Sequence, residues 1–185
     1  MSSDQYHRNT QSEWLSRVEI IAVGVGKYNY HYRNLSGPSH DINRLHNLLV
    51  DDSNTALYSQ NHFTSLHNPS SAKLRSTLTQ YAMSRSAVHD ILVFYFSGHA
   101  VRIGTNDLGL CTIDTRPNKC FEPLAPIPLN LVRYSDIIQT LTAVKVDPVI
   151  ILDTCFSGRA EIITQEIYSQ LKRTIQAETG STYAL

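Results

Sequence analysis

One thiol and one imidazole, each set just beyond a short apolar run, are the groups of this chain best suited to covalent chemistry. Residues 149–152, Val-Ile-Ile-Leu, lead into Asp153-Thr154-Cys155, and Phe156-Ser157-Gly158 follows at once. Residues 91–96, Ile-Leu-Val-Phe-Tyr-Phe, lead into Ser97-Gly98-His99 in the same manner. A cysteine attacks a carbonyl carbon as the thiolate, and a free thiol titrates at about 8.5, so it needs a partner that takes its proton. An imidazole can accept that proton and later return it to a leaving amine. The oxyanion formed at the attacked carbonyl calls for backbone N–H donors. The amides of Cys155 and Ala100 are placed to serve, while Gly98 and Gly158 let the backbone approach a peptide closely. Taken singly, the cysteine reads as a small buried hydrophobe and the histidine as a loop residue. Their equivalent positions past two apolar runs make them a site.

The elements that must hold them alternate along the chain. Residues 18–25 form an apolar, β-branched strand, and residues 26–38 a polar loop rich in Tyr and Asn. Residues 39–50 carry Ile42, Leu45, Leu48 and Leu49 at helical spacing, with Ser39 or Asp41 as the cap. A shorter strand is predicted over 61–66 and a helix over 72–85, opened by Pro69-Ser70-Ser71, with Leu74, Leu78 and Tyr81 on one face. Residues 90–96 form the strand that ends at His99. Residues 104–130 read as a long Pro-containing connection in which 108–113 pairs as a short strand. A helix capped near Ser135 is predicted over 134–143, the strand ending at Cys155 over 149–153, and an amphipathic helix over 161–177. Strands apolar on both faces, alternating with helices, predict an α/β fold: a mainly parallel central sheet with helices on each side. Sites in such sheets form at the carboxyl ends of the strands, where both His99 and Cys155 fall.

Composition narrows the function. The 185 residues suit one domain, with residues 1–13 as a mobile arm and 14–185 as the folded unit. The formal net charge is zero, which gives no electrostatic footprint for nucleic acid. The apolar runs are far too short for a membrane helix, and the polar N-terminus lacks a secretory signal. Three cysteines in no framework pattern fit a reducing, cytoplasmic setting. Cys111 and Cys120 lack zinc-ligand spacing and read as ordinary thiols. Tyr28, Tyr30 and Tyr32 alternate after the first strand and read as part of a packed surface loop, with the lining of a peptide groove as the alternative, and Trp14 reads as an anchor for the arm.

The segments Phe96-Ser97-Gly98-His99 and Asp153-Thr154-Cys155-Phe156-Ser157-Gly158 resemble the two catalytic motifs of the caspase-like cysteine proteases. Their order and their separation of roughly 56 residues are those of the superfamily, and residues 108–114 resemble the segment that follows its histidine loop. The resemblance implies a caspase-like sandwich with Cys155 as nucleophile and His99 as general base and acid. True caspases carry Gln-Ala-Cys at the nucleophile. Asp153-Thr154-Cys155 is instead similar to metacaspases, paracaspases and their bacterial relatives, which implies that Asp153 lines the S1 pocket. Asp41, within Pro38-Ser39-His40-Asp41-Ile42-Asn43, matches the position of a second acidic pocket residue. Two converging carboxylates favour a guanidinium, which bonds bidentately, so cleavage after Arg is expected, with Lys second. A helix cap for Asp41 and a turn-shaping hydrogen bond for Asp153 are the structural alternatives. Glu161 is a further acidic residue near the nucleophile.

Two departures from the family pattern stand out. Ala100 takes the place of the glycine that follows the family's histidine. The chain also ends at Ser181-Thr182-Tyr183-Ala184-Leu185, which reads as the beginning of a further strand. The expectation is therefore a processed large subunit, a chain cut short, or a half completed by a small-subunit or C-terminal partner segment. Arg116, Lys119, Lys172 and Arg173 are the candidate processing sites, for self-cleavage or for an upstream activating protease. Peptide and protein substrates are the expected ligands. The chemistry needs no metal or organic cofactor. Asp51-Asp52 and the scattered acids do not form a compact calcium loop, which leaves calcium dependence open. The alternative is a catalytically silent caspase-like scaffold acting by protein binding; a cysteine-dependent acyltransferase or amidase is remote.

Overall fold

The computed structural model describes residues 18–51, 62–84, 91–104, 107–117, 128–143 and 147–154. Four parallel strands form the main sheet: β1 (Val18–Gly24), β2 (Phe63–His67), β3 (Ile91–Ser97) and β7 (Asp147–Asp153), in the order β2-β1-β3-β7. The fold is the expected one, a mixed α/β structure with the parallel sheet flanked by helices. Helix α1 (Gly37–His46), continued by a π-helical stretch (Asn47–Asp51), lies on one face. Helices α2 (Ser71–Ser84) and α3 (Tyr134–Thr142) lie on the other.

The strand sequences explain the two layers. Side chains alternate across a strand, so β1 sends Val18, Ile20 and Ala22 toward Ile42 of α1. It sends Ile21 and Val23 the other way, into a larger core with Leu74 and Leu78 of α2, Phe94 and Phe96 of β3, and Ile137, Ile138 and Leu141 of α3. A strand covered on both faces must be largely apolar, which is how β1 reads from Ile20 to Val23 and β3 from Ile91 to Phe96. Phe94 and Phe96 have no exposed surface. Burial of each such side chain stabilises the fold by about 1.5–3 kcal/mol.

The predicted loop over 104–130 holds more structure than expected. A second, antiparallel sheet forms from β4 (Ala100–Ile103), β5 (Asp107–Arg116) and β6 (Leu129–Arg133), in that order. It packs Leu108, Leu110, Cys111 and Val132 into the larger core. β4 starts directly after His99, so the hairpin anchors the chain where it leaves the histidine.

Both predicted helix caps differ from the structure. α1 begins at Gly37, with Pro38 in its first turn, where the missing N–H costs nothing. Ser39 and Asp41 therefore lie inside the helix, and the cap position, Ser36, makes no side-chain cap bond. In α3 the cap position is Arg133, and Ser135 is not the cap. The Ser135 N–H and hydroxyl both donate to Asp107 of β5, at 3.3 and 2.8 Å. α2 is served in the same way: the Ser71 N–H and hydroxyl donate to Asp114 of β5, at 2.8 and 3.1 Å. One strand thus supplies carboxylates to the orphan amides of two helices.

Candidate active site

Backbone register brings the site together. Gly24, Ser97 and Asp153 are aligned across β1, β3 and β7, at the carboxyl end of each strand. Beyond β3 the chain turns through Gly98. A Cβ there would lie 3.1 Å from the Tyr28 hydroxyl and 3.2 Å from the Val25 carbonyl oxygen, so only glycine fits without displacing them. The Val25 N–H donates to the Ser97 carbonyl at 2.9 Å, and the Gly98 N–H to the Asp153 carbonyl at 3.4 Å.

At His99, three of four hydrogen-bonding groups are engaged. Its N–H donates to the Tyr28 hydroxyl at 2.8 Å, and its carbonyl accepts from the Cys111 N–H at 2.9 Å. Nε2 lies 2.8 Å from the Arg33 carbonyl oxygen. A carbonyl can only accept, so Nε2 carries the hydrogen, and in the neutral ring Nδ1 is then the basic nitrogen. The imidazole packs against Tyr28 and Tyr32, with ring centroids 4.9 and 5.8 Å away. Ring orientation and tautomer are therefore set by the loop after β1, and Nδ1 is left for a proton.

A second feature is a cleft of about 530 Å³ between α1, β3 and β7, lined by Asp41, Arg44, Leu45, Asn47, Leu48, Tyr95 and Asp153. The structure thus places both sequence-predicted acidic residues on one cavity. Asp41 is free to reach it because it does not cap its helix. Its Oδ2 accepts a long, 3.4 Å hydrogen bond from the Ser97 hydroxyl. Close approach of α1 to the sheet depends on Gly24, where a Cβ would lie 2.6 Å from the Pro38 carbonyl oxygen. Tyr95 senses both acids. Burial is the main cause of its raised pKa, Ser97 counters it by hydrogen bonding, and the charges of Asp153 and Asp41 raise it further. Arg44 is the one cation among the lining residues.

The remaining predicted residues divide between placed and undescribed. Ala100 opens β4 in register with Leu110 and is buried. Among the described residues the non-glycine positive-φ positions are His31, Asn68 and Asn130, so Ala100 has a backbone that suits alanine. Arg116 ends β5, paired with Leu129, and its guanidinium lies 4.3 Å over the Tyr30 ring and donates to that hydroxyl at 2.6 Å. The bond after Arg116 leads into Pro117. Cys111 is buried and hydrogen-bonded to Tyr32; burial pushes its thiol up to about 12, which makes it inert as a nucleophile. Cys155, Lys119, Cys120, Glu161, Lys172 and Arg173, the arm over 1–13, Trp14 and the helix predicted over 161–177 lie outside the described residues. Among the described residues no group of three or more His, Cys, Asp or Glu is arranged to hold a metal ion, and no helix is long and apolar enough to cross a membrane.

Sequence reasoning missed the Arg33 carbonyl, since any residue type can supply a backbone oxygen there. It also missed Tyr28, Ser97 and Tyr95. The alternating Tyr28, Tyr30 and Tyr32 were a visible signal, but the first of them is buried against His99 and is not part of an outer surface.

No curated protein matches the chain. The caspase domain matches it over residues 20–183, a span that includes all of the main sheet except the first two residues of β1, together with His99, Asp153 and Cys155. By that match, and with a four-stranded parallel sheet flanked by helices, the chain belongs to the caspase domain family of cysteine peptidases.

Proposed function

We propose that this chain is a cysteine endopeptidase of metacaspase character that cuts protein substrates after Arg, and second after Lys. The observation that carries the reading is the register of Ser97 with Asp153. His99 lies two positions beyond Ser97, and Cys155 two positions beyond Asp153. Two residues span at most about 7 Å, so the thiol is tethered to the strand end next to the one that delivers the imidazole.

In this mechanism the Cys155 thiol gives its proton to His99 Nδ1, and the sulfur attacks the scissile carbonyl carbon. The carbonyl π electrons move to oxygen, which the amides of Cys155 and Ala100 stabilise. Collapse breaks the C–N bond, and the proton on Nδ1 passes to the leaving amine. Water, deprotonated by the same nitrogen, then attacks the thioester; collapse releases the acid and restores the thiol. Asp153 and Asp41 pair with the P1 guanidinium or ammonium while Tyr95 and Leu45 flank its alkyl stem. A reducing cytoplasm keeps the thiol available. Processing at Lys119, Lys172 or Arg173 belongs to the same reading. Arg116 fits less well, since it is paired within β5 and precedes a proline.

A fluorogenic peptide ending in Arg tests this directly. Turnover by the wild-type protein, abolished in Cys155→Ala and weaker with Lys at P1, is expected. Self-cleavage fragments should be present in wild type and missing from the variant. No turnover under any activating condition, or identical fragments in both proteins, would point to a silent scaffold.

A further inference from the structure

We propose that Tyr28 is a positioning residue that fixes the backbone from which the His99 imidazole projects; the inference rests on the reading of His99 as the general base. A tyrosine hydroxyl has one hydrogen to give. The Tyr28 hydroxyl donates it to the Val25 carbonyl at 2.8 Å and accepts from the His99 N–H at 2.8 Å. One oxygen therefore ties the chain leaving β1 to the turn leaving β3. Tyr28 is 8% exposed, so water does not readily replace either bond. Burial also pushes its pKa far above the ordinary phenol range, which keeps the hydroxyl neutral and able to donate.

The surroundings are built around this contact. Gly98 leaves the space: a Cβ at that position would crowd the Tyr28 hydroxyl at 3.1 Å. The Tyr28 N–H donates to the Asn34 side chain at 2.9 Å, within the loop whose Arg33 carbonyl holds Nε2. One loop thus holds the histidine at its backbone, on its ring face and at its far nitrogen. If the hydroxyl is lost, the His99 N–H and the Val25 carbonyl are both left without their partner. The Arg33 contact that selects the tautomer then depends on ring packing alone.

Tyr28→Phe keeps the ring and removes only the oxygen. With histidine-labelled protein, nitrogen NMR of the wild type should show His99 in a single neutral tautomer, hydrogen on Nε2. In folded Tyr28→Phe both tautomers should be populated. On the Arg peptide, kcat should fall by between about 10- and 100-fold while KM stays within about twofold, the pattern of a misplaced base. An unchanged tautomer, an unchanged kcat, or a matching rise in KM would overturn the proposal. If Tyr28→Phe does not fold, the wild type alone decides: two tautomers there, or no magnetisation transfer between the Tyr28 ring and the His99 amide proton, would also overturn it. The tautomer readout needs no proteolysis, so failure of the protease reading and failure of the Tyr28 role are distinguishable.

Discussion

At one end of the main sheet two kinds of polar group meet opposite treatment. His99 has its amide, its carbonyl and Nε2 each engaged by a different residue and its ring packed on two tyrosines. Among the described residues, Asp41 and Asp153 have few side-chain partners. Asp41 has one long bond from Ser97, and Asp153 makes no side-chain hydrogen bond to a described residue. On the proposed function, the difference follows from what each would do. A base has to wait in one orientation, so its other bonds are satisfied in advance. A recognition pocket instead leaves charge for the ligand to satisfy, because carboxylates already paired within the protein would gain little from a guanidinium.

The largest expected effect falls on the prepared side. His99→Ala should lower kcat/KM on the Arg peptide by about 10²–10⁴-fold with the melting temperature little changed, measured by initial rates and circular dichroism. The core that holds both regions comes next. Phe94→Ala should cost about 3–5 kcal/mol in urea unfolding, because Phe94 is fully buried beneath both strand ends. On the unpaired side, Asp153→Asn should reduce kcat/KM for Arg substrates by about 10–100-fold, as expected for loss of a charge-assisted hydrogen bond. The loss should fall mainly on KM, and stability should hold. A large drop in stability would mean that Asp153 is a structural residue and would break the contrast. Arg44→Gln should sharpen it, with a gain of up to about fivefold in kcat/KM for basic substrates once a like charge leaves the cleft wall.

How much of this was legible differs by element. The parallel sheet was readable because β1 from Ile20 to Val23 and β3 from Ile91 to Phe96 are apolar runs, and the ends of β3 and β7 were readable because Ser-Gly-His and Asp-Thr-Cys interrupt such runs. Asp41 carried a visible alternative as a helix cap, which only the start of α1 at Gly37 resolves. The actual helix caps were hidden, since Asp107 and Asp114 act on residues far away in sequence. β4 and β6 are short and flank stronger signals. β7 starts at Asp147 with Pro148 inside it, a residue that pattern reading excludes from a strand. The Arg33 carbonyl leaves no trace in residue type.

A smaller prediction concerns Asp114. Burial pushes its carboxyl up, but the Ser71 and Thr112 hydrogen bonds more than offset this, and its pKa is lowered. A depressed folded-state value contributes stability at pH above the unfolded value of about 3.9, and that contribution is lost as pH falls through the folded value. Asp114→Asn should therefore flatten the acid limb of a plot of melting temperature against pH, slightly, because the group is only part-buried and solvent screens its interactions. An unchanged limb would contradict the assignment.

The central claim is that Cys155, His99 and the acidic cleft act on one scissile bond. A peptidyl-arginine chloromethyl ketone tests all three together, since it needs the P1 pocket, the base and the nucleophile to react. Peptide mapping by mass spectrometry should find the adduct on Cys155 alone, greatly slowed in His99→Ala and slowed less in Asp153→Asn. Adduct on Cys111 or Cys120, or labelling of Cys155 that neither variant slows, would contradict it.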